Sequence, residues 1–319
     1  SYPDADAHAW NYYFSLAMRE FVLFALPSFI FVSGYWLGSS RFESLADYRS
    51  FLRKRAARIL IPYLFWSFFF YAIIVLRGQP HSFSDFAAKL LAGRVEDPYF
   101  FLIMLLQLYL LTPVFIRLAD TRRATAWLVA LHIAFVALLY ALRLGYDKDM
   151  AFNYIKTPFL SWISFFYLGI LLRRRPDVLS GPGTPWILAA VAAFYMASLA
   201  ESLTLVHFDC FEFAISDIKF TTLLYGAAVV LLFWKNRLRV RWPAFLILLG
   251  DYSFGIYFIH GFLLRVLHKL LAPRVPALFN IQPAYQLVIV AATLAVTCAV
   301  MWTARRAIGK KRARYWMGL

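Results

Sequence analysis

The chain has 319 residues, of which 62% are hydrophobic and only 16% are charged. A soluble domain is about 45–50% apolar, so this composition excludes an ordinary water-exposed fold and indicates a membrane domain. The formal net charge of +16 would suit a nucleic-acid partner. However, the basic residues lie between apolar spans, so we expect contact with membrane lipids and no nucleic acid. The cysteines, Cys210 and Cys298, lie too far apart for a metal or redox motif, and no metal site is predicted.

Nine apolar spans follow one another, and each is close to the roughly 20 residues that cross a bilayer as a helix. Because lipid cannot satisfy backbone hydrogen bonds, spans of this kind must be helical. The sequence therefore predicts an all-α polytopic membrane protein, with residues 1–319 forming a single transmembrane domain. The spans cover residues 13–37, 59–76, 99–116, 125–142, 158–172, 186–203, 216–234, 244–271 and 285–303.

The connections on one side of the predicted membrane are strongly basic. They hold two thirds of the 33 lysine and arginine residues, in residues 39–58, 117–124, 173–185, 235–243 and 305–319. The positive-inside rule makes this side cytoplasmic, together with the C-terminal tail. Residue 1 would then lie outside without a basic signal segment. We therefore expect a further helix before residue 1, which would give ten helices in the intact protein.

A basic run enters the second span, and it consists of Arg49, Arg53, Lys54, Arg55 and Arg58. Arg55 and Arg58 are one helical turn apart, and guanidinium groups match the oxygens of phosphate. The run therefore predicts a site for a phosphate-bearing molecule at the membrane face. Residues that only fix the topology are the alternative interpretation.

The first span contains an arginine and a Pro–Ser–Gly pattern. Arg19 lies within the apolar stretch, where an arginine indicates function; snorkelling to the outer interface, or pairing with Glu20, is the alternative. Pro27 is expected to bend the helix. Ser33 and Gly34 would let another group approach the backbone closely, although ordinary helix packing through small residues explains them equally well.

The eighth span carries Tyr257 and His260, which are three residues apart and share a helix face. A histidine in lipid needs a polar partner or a water-filled cavity, and it can act as a general base. A structural histidine is the alternative. We interpret Asp217 and Lys219, at the start of the seventh span, as an interfacial ion pair. Gln107 places a polar group within the third span, which indicates either a kinked cavity wall or plain packing.

Together these stretches resemble the membrane-bound acyltransferase family 3, whose members O-acylate glycans and other exported molecules in bacteria. They keep the family's order and extend over most of the chain. The similar stretches are Arg19 with Pro27 and residues 29–35, Arg55 and Arg58 before Pro62 and Trp66, Phe100 to Pro113 with Gln107 and Tyr109, residues 165–169, and Gly250 to Ser253 with Tyr257 and His260.

The resemblance implies a ten-helix enzyme of the bacterial inner membrane. Such an enzyme would move an acyl group, most often acetyl, from cytoplasmic acyl-CoA to a hydroxyl of an extracytoplasmic glycan or glycolipid. We expect a cavity between helices that admits the pantetheine arm. A transporter or flippase of a lipid-linked glycan is the alternative, and a non-catalytic membrane partner is a third interpretation. The residues expected to bind the donor are Arg55, Arg58 and Ser33, and those expected to serve the chemistry are His260, Arg19 and Tyr257.

The resemblance also implies that the family's first helix, with a basic residue and a histidine base, precedes residue 1. The principal base is therefore not assigned to a residue of this sequence. The nature of the acyl group, the acceptor and the oligomeric state are left open by the sequence.

Overall fold

The computed structural model describes residues 9–78, 82–145, 158–179, 181, 183–236, 243–279 and 281–318. Within these ranges all regular secondary structure is helical, which confirms the predicted all-α class. The connection 235–243, predicted to be cytoplasmic, lies mostly outside the described residues. The first seven helices are α1 (Ala9–Val22), α2 (Ala25–Leu37), α3 (Leu45–Leu76), α4 (Phe83–Leu91), α5 (Phe100–Leu118), α6 (Arg122–Gly145) and α7 (Ile163–Arg174). The others are α8 (Thr184–His207), α9 (Phe211–Ala214), α10 (Phe220–Asn236), α11 (Ala244–Leu271), α12 (Pro276–Phe279), α13 (Gln282–Ile308) and α14 (Lys310–Met317).

Seven helical segments of the described chain are long and apolar enough to cross a membrane. They are Trp10–Leu37, Leu45–Leu76, Asp97–Leu118, Arg122–Gly145, Thr184–His207, Leu246–Leu271 and Gln282–Ile308. Each corresponds to one of the nine predicted spans. The remaining two predicted spans are also helical but shorter, because α7 has 12 residues and α10 has 17.

The first predicted span is broken where a proline interrupts its hydrogen bonds. Helix α1 ends at Val22, and α2 begins at Ala25. Proline has no N–H, so Pro27 cannot donate to the carbonyl of Leu23, and its ring also crowds that carbonyl. The bend predicted from Pro27 is therefore confirmed as a break one turn earlier in the chain.

The chain forms two compact units. Unit 1 comprises Ser1–Ser15, Arg49–Ile103 and Val240–Leu319, and unit 2 comprises Leu16–Tyr48 and Met104–Arg239. In unit 1, α11 packs along α13. In unit 2, α2 packs along α7, and α8 packs along α10.

Helices α2 and α7 of unit 2 meet through glycine. A Cβ atom added to Gly34 would lie 2.0 Å from the carbonyl oxygen of Phe166, and one added to Gly169 would lie 2.2 Å from that of Phe31. Only glycine allows backbones to come this close. The close approach predicted at Ser33 and Gly34 is confirmed, and the approaching group is a neighbouring helix.

The C-terminal helix of unit 1 folds back onto the unit. The chain reverses at Gly309, whose φ of +81° favours glycine. At the far end of α14, the carbonyl of Met317 accepts a hydrogen bond of 3.3 Å from Trp66 Nε1. Close before the reversal, the guanidinium of Arg305 lies 4.2 Å from the centre of the Tyr252 ring. These contacts anchor the tail to α3 and α11.

Candidate active site

The hydrogen bonds of His260 determine which of its ring nitrogens is free. Its Nδ1 atom lies 3.0 Å from the carbonyl oxygen of Ile256 and 2.9 Å from that of Tyr257. Because a carbonyl oxygen only accepts, Nδ1 must carry the proton. The lone pair is then on Nε2, for which no partner exists among the described residues. The imidazole is half-buried, so His260 presents a basic nitrogen as a general base requires.

A turn at residues 96–99 is fastened to the helix that carries His260. The Tyr257 hydroxyl donates to the carbonyl of Pro98. The Tyr99 hydroxyl donates to the carbonyl of Phe258 at 3.0 Å. The backbone N–H of Tyr99 donates to the carbonyl of Glu96 at 2.9 Å and closes the turn. The proton of Tyr257 is thus already engaged with backbone, so this hydroxyl positions the turn.

The same turn carries an ion pair beside His260. Arg265 Nη2 lies 2.7 Å and 2.5 Å from the two carboxylate oxygens of Glu96. The Glu96 side chain is 11% exposed and that of Arg265 is 52% exposed. A Cβ on Gly261, the residue after His260, would lie 4.0 Å from Glu96 Oε2. Sequence reasoning missed this pair, because its members are 169 residues apart.

The basic residues of α3 lie at a different level of unit 1 from His260. Arg58 is exposed and Arg55 is half-buried, with its guanidinium 5.8 Å from the centre of the Phe51 ring. Further along α3, the Phe70 ring packs at 5.2 Å on that of Phe262, two residues beyond His260. A rise of 1.5 Å per residue places Arg58 about 18 Å before Phe70 along the helix. The two predicted clusters are therefore separated along α3.

Aromatic rings lie between Arg58 and His260 in unit 1. The Tyr63 ring packs on the Tyr99 ring at 5.5 Å, and the Tyr99 ring lies 6.2 Å from the Tyr257 ring. Tyr99 is 0% exposed and Tyr63 is 2% exposed. These tyrosines pack closely on one another, and the predicted cavity for the pantetheine arm stays a prediction.

Arg19 lies in unit 2, on α1. Its Nε atom donates to the carbonyl of Ile215 at 2.8 Å, and the side chain is half-buried. Among the described residues no carboxylate pairs with Arg19, because Glu20 is bound by Lys219. The two terminal nitrogens of the guanidinium therefore stay available for an anionic oxygen. Ser33 lies in the same unit and is half-buried on α2.

Lys219 and Glu20 form an ion pair that is fully buried in unit 2. Lys219 Nζ lies 2.9 Å from each carboxylate oxygen of Glu20, and both side chains are 0% exposed. The ammonium also donates to the carbonyl of Ala214 at 2.7 Å and to the hydroxyl of Ser202. The predicted pairing of Lys219 with Asp217 at an interface is therefore wrong, since Lys219 binds a carboxylate 199 residues away.

A second carboxylate caps the start of α10. The Glu201 carboxylate accepts from the backbone N–H of Thr221 at 3.2 Å and from the hydroxyl of Tyr140. The Tyr140 oxygen in turn accepts from the backbone N–H of Phe220 at 2.9 Å. The first N–H groups of a helix lack partners within the helix. Glu201 and Tyr140 supply these partners.

Other polar side chains of unit 2 serve packing. Gln107 Oε1 accepts from the backbone N–H of Phe159 at 3.0 Å, so it supports the turn before α7. His132 is 6% exposed. Its Nε2 donates to the carbonyl of Ser161 at 3.0 Å, and its Nδ1 accepts from Ser164 at 2.7 Å. Within the described ranges, no three His, Cys, Asp or Glu residues come together as metal ligands do.

The helices and these polar groups define an all-α polytopic membrane protein with charged groups inside its helical units. The chain matches the Acyltransferase domain family, acyltransferase family 3, over residues 1–302, and it belongs to that family. The resemblance seen in the motifs is confirmed, and the protein is an acyltransferase.

A bacterial relative gives the same class. The chain is 26% identical over 285 residues to a protein of Bacillus subtilis (strain 168) named "Putative membrane-bound acyltransferase YfiQ". The alignment covers 82% of this chain and 74% of the relative. No solved structure matches the chain.

Proposed function

We propose that the protein transfers an acyl group from cytoplasmic acyl-CoA to a hydroxyl of an extracytoplasmic glycan or glycolipid. Acetyl is the group we expect, because it is the commoner one in the family. The membrane would be the bacterial inner membrane, with the basic connections and the C-terminal tail in the cytoplasm. The observation that carries the proposal is the separation within unit 1 of an arginine pair and a histidine base. The two levels differ by about 18 Å along α3, a distance that an extended phosphopantetheine arm can bridge.

The donor's phosphates would bind the start of α3. Arg55 and Arg58 follow each other by one helical turn, and Arg58 is exposed. Guanidinium groups hold phosphate oxygens by paired, charge-assisted hydrogen bonds. The ring of Phe51 supports the Arg55 guanidinium from one side.

The acyl transfer itself would use His260. Its Nε2 removes the proton of the acceptor hydroxyl while that oxygen attacks the thioester carbonyl. The tetrahedral oxyanion then collapses and expels the CoA thiolate, which takes the proton back from the imidazolium. The products are an O-acyl ester, free CoA and neutral His260, so no further reactant is needed. Arg19, in unit 2, would bind an anionic oxygen of a substrate, since two of its guanidinium nitrogens are unoccupied within the described chain.

The acceptor would meet the Glu96–Arg265 pair. A carboxylate and a guanidinium side by side offer both acceptors and donors to sugar hydroxyls. The pair is partly exposed and borders Gly261, next to the proposed base. Tyr257 would act by holding the 96–99 turn on α11.

The test is mass spectrometry of the surface glycan from cells with the protein, without it, and with a His260→Gln variant. We expect a base-labile acyl ester only in the first case, on a glycan of unchanged amount. The Arg305→Lys variant, altered beside Tyr252 about 12 Å before His260 along α11, is the matched control and should keep the ester. Loss of the whole glycan without the protein would contradict the proposal and indicate transport.

A further inference from the structure

The segment 210–219 of unit 2 folds back along α8. The carbonyl of Ala214 accepts a hydrogen bond of 3.0 Å from Ser202. Ser202 lies five residues before the end of α8, which is about 7.5 Å along the axis. Cys210, Phe213, Ala214 and Ile218 are at most 2% exposed. Apart from the short helix α9, the segment is irregular backbone within the helical unit, and its polar groups must be satisfied by protein.

Lys219 organises this segment. Its ammonium has three donors, and they reach the Ala214 carbonyl, the Ser202 hydroxyl and the Glu20 carboxylate. Glu20 Oε2 also accepts from Ser198 at 2.5 Å, and Ser198 Oγ lies 2.7 Å from Thr222 Oγ1. The ion pair thus ties α1, α8 and the start of α10 to a single carbonyl of the segment.

The carbonyl that follows holds Arg19. Ile215 comes directly after Ala214, and its oxygen accepts from Arg19 Nε at 2.8 Å. Arg19 also precedes Glu20 on α1, so the arginine is held from two directions. One is the helix anchored by Glu20, and the other is the segment anchored by Lys219. A shift of either anchor would move the guanidinium.

We propose that Glu20 and Lys219 are positioning residues that fix the Arg19 guanidinium through the Ile215 carbonyl. The use of Arg19 in the reaction rests on the proposed function, whereas the position of its guanidinium does not. An ion pair buried without any exposure is a costly way to stabilise a fold. Its place beside an arginine with unoccupied nitrogens is accounted for by the orientation it gives that arginine.

The first experiment needs no activity. The intact protein in detergent is treated with phenylglyoxal, which modifies arginine, and the rate at Arg19 is followed by peptide mass spectrometry. The variants are Lys219→Met and the double variant Glu20→Gln/Lys219→Met. The double variant leaves no unpaired charge, so it serves as the test if the single variant does not fold. We expect the Arg19 rate to change at least about threefold in the variants, because the guanidinium loses its fixed carbonyl contact.

The internal control is Arg265, whose contacts lie in unit 1 and whose rate should stay constant. The matched variant is Lys89→Met, which removes a lysine from an exposed pair with Asp85 at 3.2 Å. Unchanged Arg19 rates in the folded double variant would overturn the inference, whether or not acyl transfer is detected.

The second experiment separates positioning from general stability. Transfer of label from radioactive acetyl-CoA to base-labile ester is measured in membranes with endogenous glycan. We expect the double variant to lower kcat by roughly 10- to 100-fold, as small misplacements of a catalytic group do, and to leave KM for acetyl-CoA unchanged. In an Arg19→Ala background the same double change should cause no further loss, because its effect passes through Arg19.

An equal further loss in the Arg19→Ala background would overturn the inference while leaving the proposed function intact. Absence of label transfer by the unaltered protein would instead count against the proposed function, and the phenylglyoxal result would then decide the inference alone.

Discussion

Each unit of this protein contains an ion pair, and the two pairs differ in their exposure. In unit 1 the Glu96–Arg265 pair is partly exposed, and the interior between α3 and α11 is made of tyrosine and phenylalanine rings. In unit 2 the Glu20–Lys219 pair has no exposure at all and is enclosed by hydroxyls and a backbone carbonyl. The Glu96–Arg265 pair is therefore in contact with the surroundings of unit 1. The Glu20–Lys219 pair holds the backbone of unit 2.

The difference indicates how each unit contributes to acyl transfer. Exposed guanidinium and imidazole groups can exchange water for a ligand at little cost, whereas a buried pair cannot be rearranged without leaving a charge alone. We therefore expect substitutions of charged groups in unit 1 to alter binding or chemistry. Substitutions of the Glu20–Lys219 pair in unit 2 should alter stability and geometry first.

The largest expected effect is on the buried pair. Lys219→Met should lower the free energy of unfolding by about 3–5 kcal/mol, because it leaves the Glu20 carboxylate buried without its partner. The double variant Glu20→Gln/Lys219→Met should lose much less, since neither charge remains. The measurement is unfolding of the purified protein in detergent. Equal losses in the single and double variants would show that the charges are not the cause.

The next effect concerns the glycine contact within unit 2. Gly34→Ala should destabilise the protein by about 1–3 kcal/mol or more, because the added methyl group meets the Phe166 carbonyl and the backbones must move apart. Gly250→Ala in α11 of unit 1 is the control. It has no atom within 4 Å of the added group, so it should be neutral or slightly stabilising. Thermal unfolding curves of both variants test this contrast, which similar midpoints would contradict.

A smaller effect is expected for Tyr257→Phe in unit 1. The variant loses the hydrogen bond to the Pro98 carbonyl, worth about 1 kcal/mol, and keeps the ring packing. If Tyr257 only positions the 96–99 turn, Tyr99→Phe, which loses the bond to Phe258, should lower transfer by a similar factor. A loss of transfer in Tyr257→Phe far beyond that of Tyr99→Phe would instead give its hydroxyl a direct chemical role.

The sequence predicted the helices well because their cause is local. Length and apolar content alone place the spans, and Pro27 marks the break between α1 and α2 since a missing N–H acts within one turn. The Gly34 contact was also predictable, because a small residue in an apolar helix permits close packing. Its partner helix, α7, was not predictable, because the local pattern does not indicate which helix packs there.

The candidate site was predicted only in part for the same reason. His260 and Arg58 stand out as polar residues in or beside apolar spans. The partners of Lys219 and Arg265 are 199 and 169 residues away, and a sequence of one chain carries no signal for such pairings. Lys219 was matched to Asp217 because they are neighbours in sequence, yet the fold brings Glu20 to it. The packed tyrosines between Arg58 and His260 were missed, because aromatic residues in a sequence predict burial but do not indicate which residues they pack against.

The central claim is that unit 1 divides the reaction between a donor-binding arginine pair and a histidine base. The most direct measurement is equilibrium binding of radioactive acetyl-CoA to the intact protein and three variants. Arg55→Ala/Arg58→Ala should weaken binding by roughly 10- to 100-fold through lost charge-assisted hydrogen bonds. Arg122→Ala/Arg123→Ala, which removes the same charge from the exposed start of α6, should have little effect, and His260→Gln should bind normally while transferring nothing. Equal binding by both arginine variants, or full transfer by His260→Gln, would contradict the account.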